Sequence, residues 1–147
     1  MWWVLAGMAI VTLYIFSHID DWGRDLTTNF AQTDALSPAL RPRELPLPPD
    51  RAASLVRRAA ETLRGWQATE SAPRDLGGGV LEWHFVRTTL LMRYKDDIHA
   101  RIEPSATGQS VTVHLRSQSR LGKGDLGQNP RNLRELLRAI DKEHAKN

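Results

Sequence analysis

The first 19 residues carry no charged side chain, whereas the 20 Lys and Arg and the 17 Asp and Glu all lie beyond them. That asymmetry excludes a plain soluble chain. From Trp2 to Ile19 only Thr12, Ser17 and His18 interrupt the apolar run, which approaches the roughly 20 residues that cross a bilayer core as a helix. A cleaved secretory signal needs a basic start and a small-residue cleavage site. Met1-Trp2-Trp3 has no base, and Ser17-His18-Ile19-Asp20 is a poor site. The expectation is a retained transmembrane helix over 1–22, with Trp2 and Trp3 at one end and Trp22 at the other as interfacial anchors in membrane lipid. His18 reads as a polar tip at the headgroup level, with cofactor ligation as the sharper alternative.

Charge near the span says little about topology. Arg24, Arg41 and Arg43 follow it and no base precedes it, a weak bias that puts the folded domain on the cytoplasmic side of a bacterial inner membrane, with a periplasmic placement as the alternative. Cysteine is absent, which removes disulfides, thiolate metal sites and thiol nucleophiles. A net charge of +3 is too mild for a nucleic-acid partner.

Residues 23–49 read as a Pro-rich linker, since Pro38, Pro42, Pro46, Pro48 and Pro49 forbid a helix or a central strand and favour a polyproline II spacer. Ordering such a segment costs about 1–2 kcal/mol of backbone entropy per residue, so Leu45 and Leu47 are expected to lie against a partner. The domain proper then spans 50–147. Asp50 is placed to cap a helix in which Leu55, Val56, Ala59, Ala60, Leu63 and Trp66 recur at helical spacing. Extended segments follow at Trp66 to Ala72, Val80 to Thr88, Ile98 to Glu103 and Ser110 to Ser117, and short connections make the sheet antiparallel. Asn129-Pro130 opens a second amphipathic helix bearing Leu133, Leu136, Leu137 and Ile140. The expected fold class is α+β: one transmembrane helix followed by a small antiparallel sheet of about four strands covered by two helices.

Three patterns invite chemistry. Gly122-Lys-Gly124-Asp-Leu-Gly127 matches a dinucleotide fingerprint, but no later strand completes a βαβ unit. The same glycines could cradle an anion with help from Arg120, Lys123 and Arg131, or Asp125 could pair internally with Arg120 or Arg131 and fix the loop. Alternation points His84, His99 and His114 outward together with Glu82, a possible zinc set if the strands neighbour one another, yet polar residues on a solvated face are the simpler reading. A Ser-His-Asp set from Ser117 or Ser119 lacks the supporting Gly-x-Ser-x-Gly elbow. No catalytic residue, metal or cofactor is expected.

Asp96-Asp97-Ile98, followed by Val113-His114-Leu115-Arg116-Ser117-Gln118-Ser119-Arg120-Leu121-Gly122-Lys123-Gly124-Asp125-Leu126-Gly127-Gln128-Asn129-Pro130-Arg131, resembles the signature of domain-of-unknown-function (DUF) family 1499, an R-S-x-S-R-x-G-x-x-D-x-G-x-N-x-x-R run closing a small bacterial domain. The resemblance covers roughly Asp50 to Ile140. It departs where Arg131 stands one residue early and where a cysteine-bearing segment before the first helix is missing. It implies a bacterial envelope or membrane-attached protein with no assigned reaction, and it singles out Ser117, Ser119, Arg120, Gly122, Asp125, Gly127 and Asn129 as an anion-binding or structural loop. Taken together, the sequence leads to the expectation of a non-enzymatic, single-pass accessory or stabilising subunit of a larger bacterial membrane protein complex. The host envisaged is an energy-converting assembly such as a photosynthetic reaction centre with its antenna, or a respiratory complex. The alternative is a membrane-anchored domain binding a small anionic ligand or lipid headgroup through the Ser117 to Arg131 loop.

Overall fold

The computed structural model describes residues 2–18, 28–90, 93–122 and 126–146. The chain runs through α1 (Trp2–His18), β1 (Phe30–Gln32), a single 3-10 turn (Pro38–Leu40), β2 (Arg43–Leu45), α2 (Pro49–Glu61), β3 (Trp66–Ala68), β4 (Arg74–Asp75), β5 (Leu81–Thr88), β6 (Lys95–Pro104), β7 (Val111–Ser119) and α3 (Gln128–His144).

Every strand pairing is antiparallel and all seven strands form one sheet. The ten-residue β6 is its centre, flanked by β5 with His84 opposite His99 and by β7 with Arg116 opposite His99. Beyond this trio each edge is divided between two short strands. β1 lies along residues 116–118 of β7 and β2 along 111–113, while β3 and β4 share the outer edge of β5. Short, interrupted edges offer little template for adding a further strand.

Alternation decides which face is covered. Trp83 and Phe85, Ile98, Ala100 and Ile102, and Val111, Val113 and Leu115 are buried on one side, as period-two patterning requires. Against them pack Leu55, Val56, Ala59 and Ala60 of α2 and Leu133, Leu136, Leu137 and Ile140 of α3. The Trp83 indole stacks on Phe85 and donates its N–H to the Ala53 carbonyl at 2.9 Å, so its polar atom is not left bare in the core. Gly65 turns the chain from α2 into β3 with φ +81, and a Cβ there would stand 2.7 Å from the Thr88 carbonyl oxygen; only glycine fits.

Several expectations are corrected. The fold is not one transmembrane helix with a four-stranded sheet: the described residues form seven strands and three α-helices, and no described helix is long and apolar enough to cross a membrane. α1 has 17 residues, about 26 Å at 1.5 Å per residue, against a hydrocarbon core of about 30 Å. The missing strands lie in the proline-rich segment and beside β5. Pro42 and Pro46 bracket β2 without interrupting it, because an edge strand of three residues needs few backbone donors. Leu45 on that strand is 3% exposed and belongs to the chain's own core, and Leu47 packs against the same core. The expected partner contact of Leu45 and Leu47 therefore gives way to an internal one. Helix α2 begins at Pro49, which occupies the first helical position with no side-chain cap, and Asp50 lies inside its first turn, where a carboxylate still faces the positive end of the helix dipole.

Candidate functional site

The inward row of β7 runs Val111, Val113, Leu115 and then changes to serine. Ser117 is fully buried, and Ser119 lies opposite Asp96 of β6, itself 1% exposed. Over these polar groups sits the first turn of α3, where Asn129 and Asn132, three residues apart and so on one helix face, are also buried. The hydrogen bonds form a connected relay. Arg131 Nη2 donates to Gln128 Oε1 at 3.1 Å, and Gln128 Nε2 to Asn132 Oδ1 at 2.7 Å. Asn132 Nδ2 donates to Asp96 Oδ2 at 2.9 Å and to Ser117 Oγ at 3.1 Å. Ser117 Oγ donates to Asn129 Oδ1 at 2.6 Å, Asn129 Nδ2 to Ser119 Oγ at 3.1 Å and to the Asn29 carbonyl at 2.7 Å, and Ser119 Oγ to Asp96 Oδ1 at 2.7 Å. Both routes end on the Asp96 carboxylate, with the Arg131 cation at the far end. A buried polar cluster is stable only when satisfied in this way.

Arg120, the next residue after Ser119, falls on the opposite face. Its Nε and Nη2 each reach an Asp97 carboxylate oxygen at 2.7 Å, and His84 Nε2 lies 2.7 Å from Asp97 Oδ1. The Arg120 guanidinium, and to a lesser degree the His84 ring, hold the Asp97 carboxyl down at about 2 despite its partial desolvation, and Arg120 is raised in turn. His84 stacks on His99 with ring centroids 4.5 Å apart and planes 3° from parallel, and His99 Nδ1 lies 3.4 Å from Glu82 Oε1. Shallow concavities of about 390 and 540 Å³ flank this cluster.

The three histidines considered for zinc do share the open face, but stacked rings direct their lone pairs along parallel planes instead of onto one point. No group of three His, Cys, Asp or Glu among the described residues is placed to hold a metal ion. His114 faces Glu103 at 3.8 Å instead. Ser117 Oγ is sealed from solvent and committed to Asn129, so it meets no substrate in this arrangement.

Of the loop residues singled out by sequence, Ser117, Ser119 and Asn129 meet in the buried relay, while Arg120 is separated from them by the sheet. Gly122 has φ 90 and its carbonyl accepts from Asn29 Nδ2 at 3.1 Å; Gly127 has φ 74 at the N-terminus of α3. Asp125 lies outside the described residues, as does Trp22; Trp2 belongs to α1, with its side chain also outside the description, and Trp3 is 89% exposed. Arg120, considered with Arg131 as a partner for Asp125, donates its fork to Asp97. Sequence reasoning quoted Asp96 and Gln128 within the family signature without giving them a role, and missed Asn132 and Asn29 as site residues. The available signal was Asn129 and Asn132 on the apolar face of a helix, opposite the end of an inward strand row.

The arrangement is therefore a lock that fastens α3 to β6, β7 and the segment before β1, with a charged, open sheet face behind it. Among curated proteins no sequence matches. Among solved structures, the crystal structure of TTHA0849 from Thermus thermophilus aligns with 12% identity, a TM-score of 0.38, and coverage of 80% of this chain and 97% of that one. The family described as "Protein of unknown function (DUF1499)" matches residues 24–140, a span that takes in β1 and β2 as well as the Ser117 to Asn129 motif, and the chain belongs to that family.

Proposed function

We propose that this protein is a non-catalytic accessory subunit of a larger bacterial membrane protein complex, recruited through α1. The observation that carries the reading is the surface of that helix: Trp3, Val4, Met8, Ile10 and Leu13 all stand open. At 100° per residue these positions are spread round the axis, so no single face could be laid on the sheet and leave the rest polar. A helix apolar all round is one that is surrounded, and exposed apolar surface of this kind is where association is favoured, at about 25 cal/mol for each Å² covered. None of the described α1 side chains joins the core cluster. The apolar helices of a membrane complex are the surroundings that match it.

Removing residues 1–19 tests this. The truncated chain should fold with an unchanged melting temperature, because none of the described α1 side chains lies in the core, and should no longer co-purify with the partners that the full chain brings down from native membranes. Stoichiometric recovery of the same partners by the truncated chain would refute recruitment through α1.

A further inference from the structure

The two ends of the sheet differ in charge and in apolar exposure. At one end β5 finishes, β6 begins and β7 finishes: Thr88 pairs with Lys95, Asp96 with Ser119, and the Arg120 N–H donates to the Lys95 carbonyl at 3.0 Å. The turn between β5 and β6 and the connection from β7 to α3 therefore lie side by side. Each presents large apolar side chains to solvent, Leu90 (75% exposed) and Tyr94 on the first, Leu121 (65% exposed) and Leu126 on the second. These are four of the seven large apolar side chains that stand exposed outside α1 among the described residues. Exposed cations stand among them: Arg93 and Lys95 on the same turn, and Arg64, whose neighbour Gly65 accepts the Thr88 N–H at 2.9 Å. None of these three makes an ion pair among the described residues. The acids of this end are engaged, Glu61 by Arg57, Asp96 by Ser119 and Asn132, and Asp97 by Arg120. The opposite end, with the 105–110 turn, exposes Glu44 and Asp75 and, among the described residues, a single large apolar side chain, Leu76.

Backbone geometry marks the same end independently. Among the described residues, Arg93 and Leu126 are the only ones other than glycine with positive φ, 53 and 52, and each sits on one of these two connections. That conformation is sterically disfavoured for both residue types, and strain of this kind collects at functional surfaces. A protein partner of ordinary size needs a broad continuous face, whereas these four side chains project from separate turns with cations between them. A lipid headgroup layer accepts such a surface, because apolar tips and a tyrosine ring enter it while cations meet the phosphates. The described chain also joins the sheet here: the Asn29 carbonyl accepts the Ser119 N–H at 2.9 Å and its side-chain amide donates to the Gly122 carbonyl at 3.1 Å. The apolar α1 is thus tethered to this end through residues 19–27. We propose that this end of the sheet docks on a bilayer surface rich in anionic lipid, with Leu90, Tyr94, Leu121 and Leu126 entering the headgroup layer and Arg64, Arg93 and Lys95 facing the lipid phosphates. The inference goes beyond recruitment through α1, since no residue of that helix takes part.

The chain has no cysteine, so Leu90→Cys, Leu121→Cys and, at the opposite end, Ala106→Cys each create a single labelling site on an exposed side chain. Each full-length variant, carrying a polarity-sensitive fluorophore, is transferred from uncharged detergent into phosphatidylcholine vesicles with or without phosphatidylglycerol. With phosphatidylglycerol present, the labels at 90 and 121 should shift to the blue and be quenched several-fold more strongly by lipid carrying a headgroup nitroxide than the label at 106. Adding Arg64→Gln, Arg93→Gln and Lys95→Gln should weaken this contact about fivefold for each charge removed, and raising the salt should weaken it as well. The proposal is overturned if the labels at 90 and 121 stay in water on those vesicles, if the label at 106 is quenched as strongly, or if phosphatidylcholine alone gives the same shift. Resonance energy transfer between copies labelled at 90, independent of phosphatidylglycerol, would assign this end to a second copy of the chain and overturn it too. Each of these outcomes is separate from co-purification through α1.

Discussion

Helices α1 and α3 have the same length, 17 residues, and opposite relations to the rest of the molecule. α3 is mostly polar, and its four large apolar side chains, Leu133, Leu136, Leu137 and Ile140, are completely buried on the sheet. α1 is apolar but for Thr12, Ser17 and His18 and leaves Val4, Met8, Ile10 and Leu13 open. Apolar content is thus a poor guide to which helix the core depends on; the arrangement of that content is what matters. A narrow stripe commits α3 to the core it shares with α2 and the sheet, and the relay through Asn129 and Asn132 to Asp96 fixes its orientation there. Among its described side chains α1 has neither a buried stripe nor a polar anchor, and Trp3, Val4, Met8, Ile10 and Leu13 stand exposed.

The largest effect should come from cutting into the stripe. Leu136→Ala, which opens a cavity where α3 meets the sheet, should destabilise the folded body by about 3 kcal/mol in chemical denaturation, whereas Leu13→Ala in α1 should leave the same transition unmoved. A comparable loss from Leu13→Ala would erase the contrast between the two helices and place α1 in the core after all.

A smaller effect tests the polar anchor. Asn132→Ala removes one donor to Asp96 and one to Ser117 and leaves the Gln128 amide without its acceptor, so it should cost about 2 kcal/mol. Amide exchange in the first turn of α3 should quicken more than in its last turn, because the relay holds only the N-terminal end. Uniform quickening along the helix would mean that the stripe, not the relay, sets its position.

How much of this was legible before the structure follows from the size of each pattern. Strands β5, β6 and β7 and helices α2 and α3 span enough residues for period two or period 3.6 to show, and alternation already turned His84, His99 and His114 outward. β3 falls within the extended segment read at Trp66 to Ala72, but β1, β2 and β4 have two or three residues each, too few for any period, and β2 sits between prolines that locally argue against a strand; its place is decided by the free edge of β7. Burial of Leu45 follows from that pairing, which no local signal contains. At the site, the motif marked Ser117, Ser119 and Asn129, but a motif read along the chain does not say which residues face inward. Asp96 and Asn132 join them only because Asp96 pairs with Ser119 across the sheet and α3 crosses above. Arg120 parts from its motif neighbours for the same reason: adjacent strand residues point to opposite faces.

The smallest effect should come from the outer side of that same junction, where Asp97 and Arg120 meet in partial contact with water. The Asp97 carboxyl lies at about 2, below its ordinary 3.8, chiefly because Arg120 donates two hydrogen bonds to it. A carboxyl whose pKa is lower folded than unfolded contributes stability that is fully present above about pH 4 and lost as the pH falls through about 2. Asp97→Asn should therefore melt below the wild type at pH 7 by less than Asn132→Ala does, since an exposed ion pair is screened, and the gap should close between about pH 4 and pH 2, while the gap for Asn132→Ala, which changes no charge, should not follow that titration. Thermal melts of the three proteins across this range separate the two sides of the sheet. A gap for Asp97→Asn that persists unchanged at pH 2 would show that Asp97 acts through shape and neutral hydrogen bonds, and that α3 is fastened to the sheet without help from the ion pair on its far side.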